Sequence, residues 1–172
     1  MPIVYRPGLT NSDISKIEQV LKKKLPTDYK TFLSNKNGFF ISDPDFSEIS
    51  TDKISDGVIS FDRLFGLNEN EGCNDLLSFN GEFISELNHL SGAIAIGEDG
   101  GGNPYVLLTE GKNSGVYYWD RTHLHEGDPI NKFDIKEVGD SGNLFLISNS
   151  FKDFYKLIEV SLGQNIRYEE TQ

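Results

Sequence analysis

The hydrophobic periodicity of this chain changes twice, and those changes limit the folds open to it. Between Thr10 and Asn37 apolar residues recur at helical spacing, and they do so again after Ser150. Between these stretches lie six short runs: Phe39–Ile41, Val58–Phe61, Ala93–Ile96, Tyr105–Leu108, Val116–Trp119 and Leu144–Ile147. They are rich in β-branched, aromatic and other apolar residues, and most are bounded by Gly, Asn, Asp or Pro, the pattern of strands. Helices at both ends with strands between them predict an α+β fold. The helices would pack against a mainly antiparallel sheet of about five or six strands.

Thr10 is placed to cap a first helix near residues 11–24, with Asp13 close to the positive end of its dipole. Ile14, Ile17, Val20 and Leu21 form its expected buried face, and Lys22, Lys23 and Lys24 its last turn. Leu25-Pro26 breaks that helix and starts another near 26–36, because proline suits a first turn but not an interior. Tyr29, Phe32 and Leu33 make the second buried stripe, and Asn37-Gly38 reads as a left-handed stop. Ser150 caps a helix over 150–162 whose apolar face is Phe151, Phe154, Tyr155, Ile158 and Leu162. Residues 42–57 read as a polar, acidic surface loop, and 164–172 as a frayed tail. Residues 74–90 are ambiguous, with a short helix around Asp75–Phe79 and another segment around Phe83–Leu90. No repeat or linker interrupts the 172 residues, so a single domain over 1–172 is expected.

The longest apolar runs fall far short of the ~20 residues of a membrane helix. The opening Met-Pro-Ile-Val-Tyr-Arg-Pro lacks a charged segment leading into an apolar stretch, and Cys73 is the only cysteine. Both features suit a cytoplasmic protein. The net charge of −11 is unevenly distributed: residues 43–110 carry two basic and fourteen acidic side chains, while 1–42 sum to +4 and 111–172 to −3. Such a field repels nucleic acid and anionic membranes and attracts basic proteins.

A search for catalytic chemistry finds little. Gly97-Glu98-Asp99-Gly100-Gly101-Gly102-Asn103-Pro104 is rich in glycine, but a strand follows it where a phosphate cradle needs a helix, and its carboxylates oppose an anion. A wide or bulged hairpin presenting Glu98, Asp99 and Asn103 is the expected form. His123-Leu124-His125 supplies two imidazoles near Asp120, Glu126 and Asp128, without a recognised zinc spacing, so no metal is expected. Acidic neighbours would raise the pKa of Cys73 instead of activating it. The 27 acidic residues offer many carboxylate pairs, and none stands out. In Val116-Tyr117-Tyr118-Trp119-Asp120, strand alternation sends Tyr117 and Trp119 to one face and Val116 and Tyr118 to the other.

Several of these segments resemble the SUKH superfamily, which includes fungal cell-wall assembly and killer-toxin-resistance regulators and many bacterial immunity proteins. The resemblance lies in Leu25-Pro26-x-Asp28-Tyr29-x-x-Phe32-Leu33 with Asn37-Gly38, in Phe65-Gly66-Leu67, in Ile94 to Asn103, and in Gly115 to Asp120. The motifs fall in family order across residues 10–120, and the acidic loop at 42–57 departs from the pattern. The resemblance implies an α+β fold without a catalytic centre or cofactor. For a small chain it implies an immunity protein that neutralises a cognate toxin, often a nuclease. A nuclease needs a basic surface for phosphates, which an acidic binder can occupy. The expected contact set is therefore Asp52, Asp56, Asp62, Glu69, Glu71 and Asp75, with Glu98 and Asp99 from the glycine loop and Trp119 as apolar anchor. A regulatory or scaffold domain binding cellular proteins is the alternative, with a metal- or carboxylate-dependent hydrolase behind it.

Overall fold

A computed structural model describes residues 2–43, 45–67, 75–164 and 166–171. The first strand, β1 (Pro2–Pro7), precedes helices α1 (Asn11–Leu21) and α2 (Thr27–Asn35). Then come β2 (Lys36–Ile41), β3 (Ser47–Ser50), β4 (Val58–Phe61), β5 (Arg63–Leu64) and helix α3 (Leu76–Phe83), with a 3₁₀ turn at Ile84–Leu87. Four long strands follow, β6 (Ala93–Glu98), β7 (Pro104–Leu108), β8 (Gly115–Asp120) and β9 (Asn143–Ser148). Helix α4 (Phe151–Leu162) and strand β10 (Arg167–Glu170) complete the described chain.

The fold is α+β, as the periodicity predicts. Its main sheet is wider than expected, eight strands in the order β10-β1-β2-β5-β6-β7-β8-β9, with β3 and β4 forming a separate hairpin. All neighbours in the main sheet are antiparallel except β1 and β10, which run parallel. Strands, not helices, therefore flank the outer helices. Residues 167–170 pair with Pro2–Tyr5, so that part of the expected frayed tail is strand. Similarly, the expected loop at 42–57 contains β3, which registers against β4 from Ser47–Phe61 to Ser50–Val58.

The caps behave as sequence chemistry demands. Thr10 and Asp13 exchange hydrogen bonds in a capping box, and the Ser150 hydroxyl accepts from the Asp153 amide. Helix α1 ends at Leu21, with Lys22 left-handed as its C-cap, so the three lysines lie beyond the helix and Val20 is exposed. Glu18 replaces the expected lysine–dipole arrangement. It accepts from the Leu25 amide at 2.9 Å and pairs with Lys30 at 2.7 Å, tying α1 to α2, and these bonds hold its carboxyl down at about 2.

Strand alternation builds a core on each face of the sheet. Tyr105, Leu107, Val116, Tyr118 and Phe145 join Ile17, Tyr29, Leu33, Phe154 and Ile158 from the helices in the larger one. Val106, Leu108, Tyr117, Trp119 and Leu144 form a smaller cluster on the other face with Leu87, roofed by Ile84, Leu90 and Ile135. Buried Asn80 supports β6 from α3: its amide donates to the Ala95 carbonyl, and its carbonyl accepts from the Ala95 amide, both at 2.8 Å. These bonds satisfy backbone groups of a strand that bulges between Ala95 and Gly97.

Candidate partner-binding surface

The four motifs that carry the family resemblance meet in pairs. Gly38 does not stop α2; it lies inside β2 at φ +71°, where a Cβ would come within 2.6 Å of the Gly66 nitrogen. Gly66 is equally confined, with the Asn37 carbonyl oxygen 2.2 Å from where its Cβ would stand. The Asn37 side chain completes the brace by accepting from the Leu67 amide at 2.6 Å and donating to the Leu67 carbonyl at 2.7 Å.

The second pair joins the glycine-rich hairpin to β8. Its form is the expected connection between β6 and β7, with Gly100 and Gly102 at positive φ. Asp99, however, turns inward. Its carboxylate accepts from the Gly101 amide at 2.7 Å, the Asn103 amide and side chain at 3.0 Å each, and the Tyr118 hydroxyl at 2.9 Å. Asn103 is itself buried and receives the Thr122 amide at 2.9 Å. The loop is thus a brace made by two polar residues, not a display of them.

The remaining members of the expected contact set separate by environment. Asp75 is buried and caps α3, accepting from the Leu77 and Ser78 amides at 2.9 and 2.8 Å. Trp119 is completely buried in the smaller core and donates its indole N–H to the Ser141 carbonyl. Neither can present itself to a partner. Trp119 misses the surface because residues 84–90 and Ile135 cover the sheet face that the sequence left open. Asp62 and Glu98 flank Arg63 at 2.5 and 3.4 Å, where burial raises the Glu98 carboxyl and Arg63 partly offsets that rise. Glu69, Glu71 and Cys73 lie outside the described residues.

Asp52 and Asp56 are exposed, and they belong to a larger surface. Residues 51–57 are laced to the long connection between β8 and β9, residues 121–142. Lys53 pairs with Asp134 at 3.0 Å, Lys132 with Asp52 at 3.4 Å, and the Lys132 amide donates to the Lys53 carbonyl at 2.9 Å. Asp128 accepts from both the Ser55 amide and hydroxyl and from the Ile130 amide, which holds its carboxyl far below the usual range. Asp120 ties the connection's start by accepting from the Leu124 and His125 amides at 2.8 and 2.9 Å. At its far end Glu137 lies 3.0 Å from His123 and accepts from the Gly142 amide at 3.1 Å.

The histidines diverge within this connection. His123 engages Glu137, while the His125 ring packs near Tyr118 and Phe145 with centroids 5.9 and 6.4 Å apart. Among the described residues no three His, Cys, Asp or Glu side chains converge as a metal site. Sequence reasoning missed the 121–142 connection as a surface. Its signal was an unusually long stretch between strand patterns, a length that compact domains seldom leave without purpose.

The braces give these motifs a structural role, and the laced connections lie at the surface. The family model described as SMI1 / KNR4 family (SUKH-1) matches residues 8–157, and this chain belongs to that family. No curated protein matches the chain. No helix among the described residues is long and apolar enough to cross a membrane.

Proposed function

We propose that this chain is a non-catalytic immunity protein that binds and neutralises a cognate, basic, nuclease-type toxin in the cytoplasm. The carrying observation is membership of the SUKH-1 family in a chain whose negative charge is concentrated in residues 43–110. Bacterial members that the sequence resembles neutralise toxins by binding them. An acidic surface has the field to find and cover a phosphate-binding face. The arrangement supports binding over chemistry: Asp75 and Asp99 are spent on caps and loop braces, and the two histidines face different partners.

The decisive experiment is co-production with the product of the gene adjacent to the one encoding this chain. Growth should be restored when this chain is present, and the two proteins should co-purify. Toxicity unchanged by this chain would overturn the immunity reading. The same resemblance carries a second reading, a regulatory or scaffold domain akin to the fungal members. Under that reading the partner is a cellular protein, and the adjacent gene product neither binds nor is restrained.

A further inference from the structure

The connection 121–142 carries apolar side chains outward while part of its polar complement holds it in place. Asp128, Asp134 and Glu137 accept backbone amides, while Leu124, Ile130, Phe133 and Val138 stand in solvent at 66%, 46%, 40% and 60% exposure. These are four of the ten large apolar residues recorded as exposed among the described residues. Single exposed apolar side chains need no explanation, but a concentration of them on one connection marks an interaction surface.

Rigidity strengthens the case. Bonds to β9 fix the connection at Asp134, Ile135 and Glu137: Leu146 donates its amide to Asp134, Ile135 and Leu144 exchange backbone bonds, and Asn143 accepts the Glu137 amide. Bonds to 51–57 fix it laterally. A loop held this way loses little conformational freedom on binding, so apolar contacts made by it translate efficiently into affinity.

Charge selects the partner. Asp56, Glu126 and Asp140 are exposed and stand outside the ion pairs of this surface, with Lys132 and Lys136 as exposed counter-charges. Asp52 adds a carboxylate that is 83% exposed despite its distant pairing with Lys132. We infer that residues 51–57 and 121–142 form the docking platform for a basic protein, with Leu124, Ile130, Phe133 and Val138 as apolar anchors and Asp52, Asp56 and Glu126 as acidic guides. This inference rests on the immunity reading and gives it a location: the anchor role expected of Trp119 passes to the exposed connection. A second copy of this chain is the wrong occupant, because two acidic platforms repel.

The test uses the full chain and the purified product of the gene adjacent to its own, inactivated by substitution where it is toxic, with affinity measured by titration calorimetry. Leu124→Ser, Ile130→Ser and Phe133→Ser should each weaken binding, the strongest by tenfold or more, as central anchors do. Val160→Ser, at a still more exposed site on α4, should bind as the parent does. Circular dichroism and melting of each variant exclude unfolding as the cause. If the parent binds and all three platform variants bind equally well, the platform is overturned and the immunity reading stands. If the parent fails to bind, the immunity reading falls and the platform's basic partner falls with it. Sedimentation of the chain alone should show a monomer; self-association abolished by the same substitutions would make a second copy the occupant and overturn the inference.

Discussion

Asp99 shows how much of this fold a single carboxylate can organise. Four hydrogen bonds converge on it, one from the Tyr118 hydroxyl, whose ionisation is pushed well up by burial and by the nearby carboxylate. Asp99→Ala should cost on the order of 3 kcal/mol in chemical denaturation, since it leaves buried donors without acceptors. A midpoint equal to the parent's would show that solvent replaces the brace. His123 and Glu137 offer a pH-dependent clasp. Glu137 raises the imidazole above its ordinary 6.5, and His123 lowers the carboxyl below its ordinary 4.5. The histidine's contribution is complete below pH 6.5 and is lost as pH rises through its raised value. That of Glu137 is present above pH 4.5 and is lost as pH falls through its lowered value. The clasp is therefore fully charged between those limits. In an NMR titration His123 should titrate above 6.5, and Glu137→Gln should bring it back down; an unmoved value would refute the pairing.

Among the elements, β2 and the segment after β5 meet in close backbone contact as well as through the buried side chains Phe39, Ile41 and Phe65. Gly38 combines a positive φ with a Cβ position only 2.6 Å from the Gly66 nitrogen, so neither rotation nor a small shift relieves a substitution. Gly38→Ala should destabilise the protein by roughly 2 kcal/mol or more. Gly81→Ala, with open space around its Cβ and a helical backbone, should be neutral or stabilising. Equal melting temperatures for the two variants would contradict the close approach. The contrast also explains why Asn37-Gly38 and Phe65-Gly66-Leu67 belong to one pattern: they are two sides of one contact.

For the whole molecule, the acidic field should govern the speed of association more than its strength. Exposed charges are screened over ~8 Å at physiological salt, so the association rate with the proposed basic partner should fall as salt rises. Asp52→Lys, Asp56→Lys and Glu126→Lys together should slow association by about tenfold or more at low salt, with the difference shrinking as salt is added. Stability should change by only about 0.5 kcal/mol for each exposed site. Stopped-flow rates identical to the parent's at every salt concentration would reduce the field to a solubility device. Glu69, Glu71 and Asp75, attractive on charge alone, make a poorer trial: the first two lie outside the described residues, and Asp75→Lys would remove the cap of α3.

The sequence by itself determined those features that depend on neighbours along the chain. Six strand cores, the capping box at Thr10, the cap at Ser150 and the alternation of Val116 to Trp119 all follow from local spacing and hydrogen-bonding chemistry. The negative charge of 43–110 was equally plain, but its orientation was not. Whether a carboxylate faces a partner or an amide depends on the backbone folded around it, as Asp75 and Asp99 show. Strands β1 and β10 escaped because one is bounded by prolines and the other is wholly exposed, so neither carries an apolar period; each exists through pairing with residues far away in sequence. Trp119 was assigned to the right face of its strand but to the wrong environment. Only the tertiary structure brings Leu87, Leu90 and Ile135 over that face, because burial is a property of what the rest of the chain lays on top.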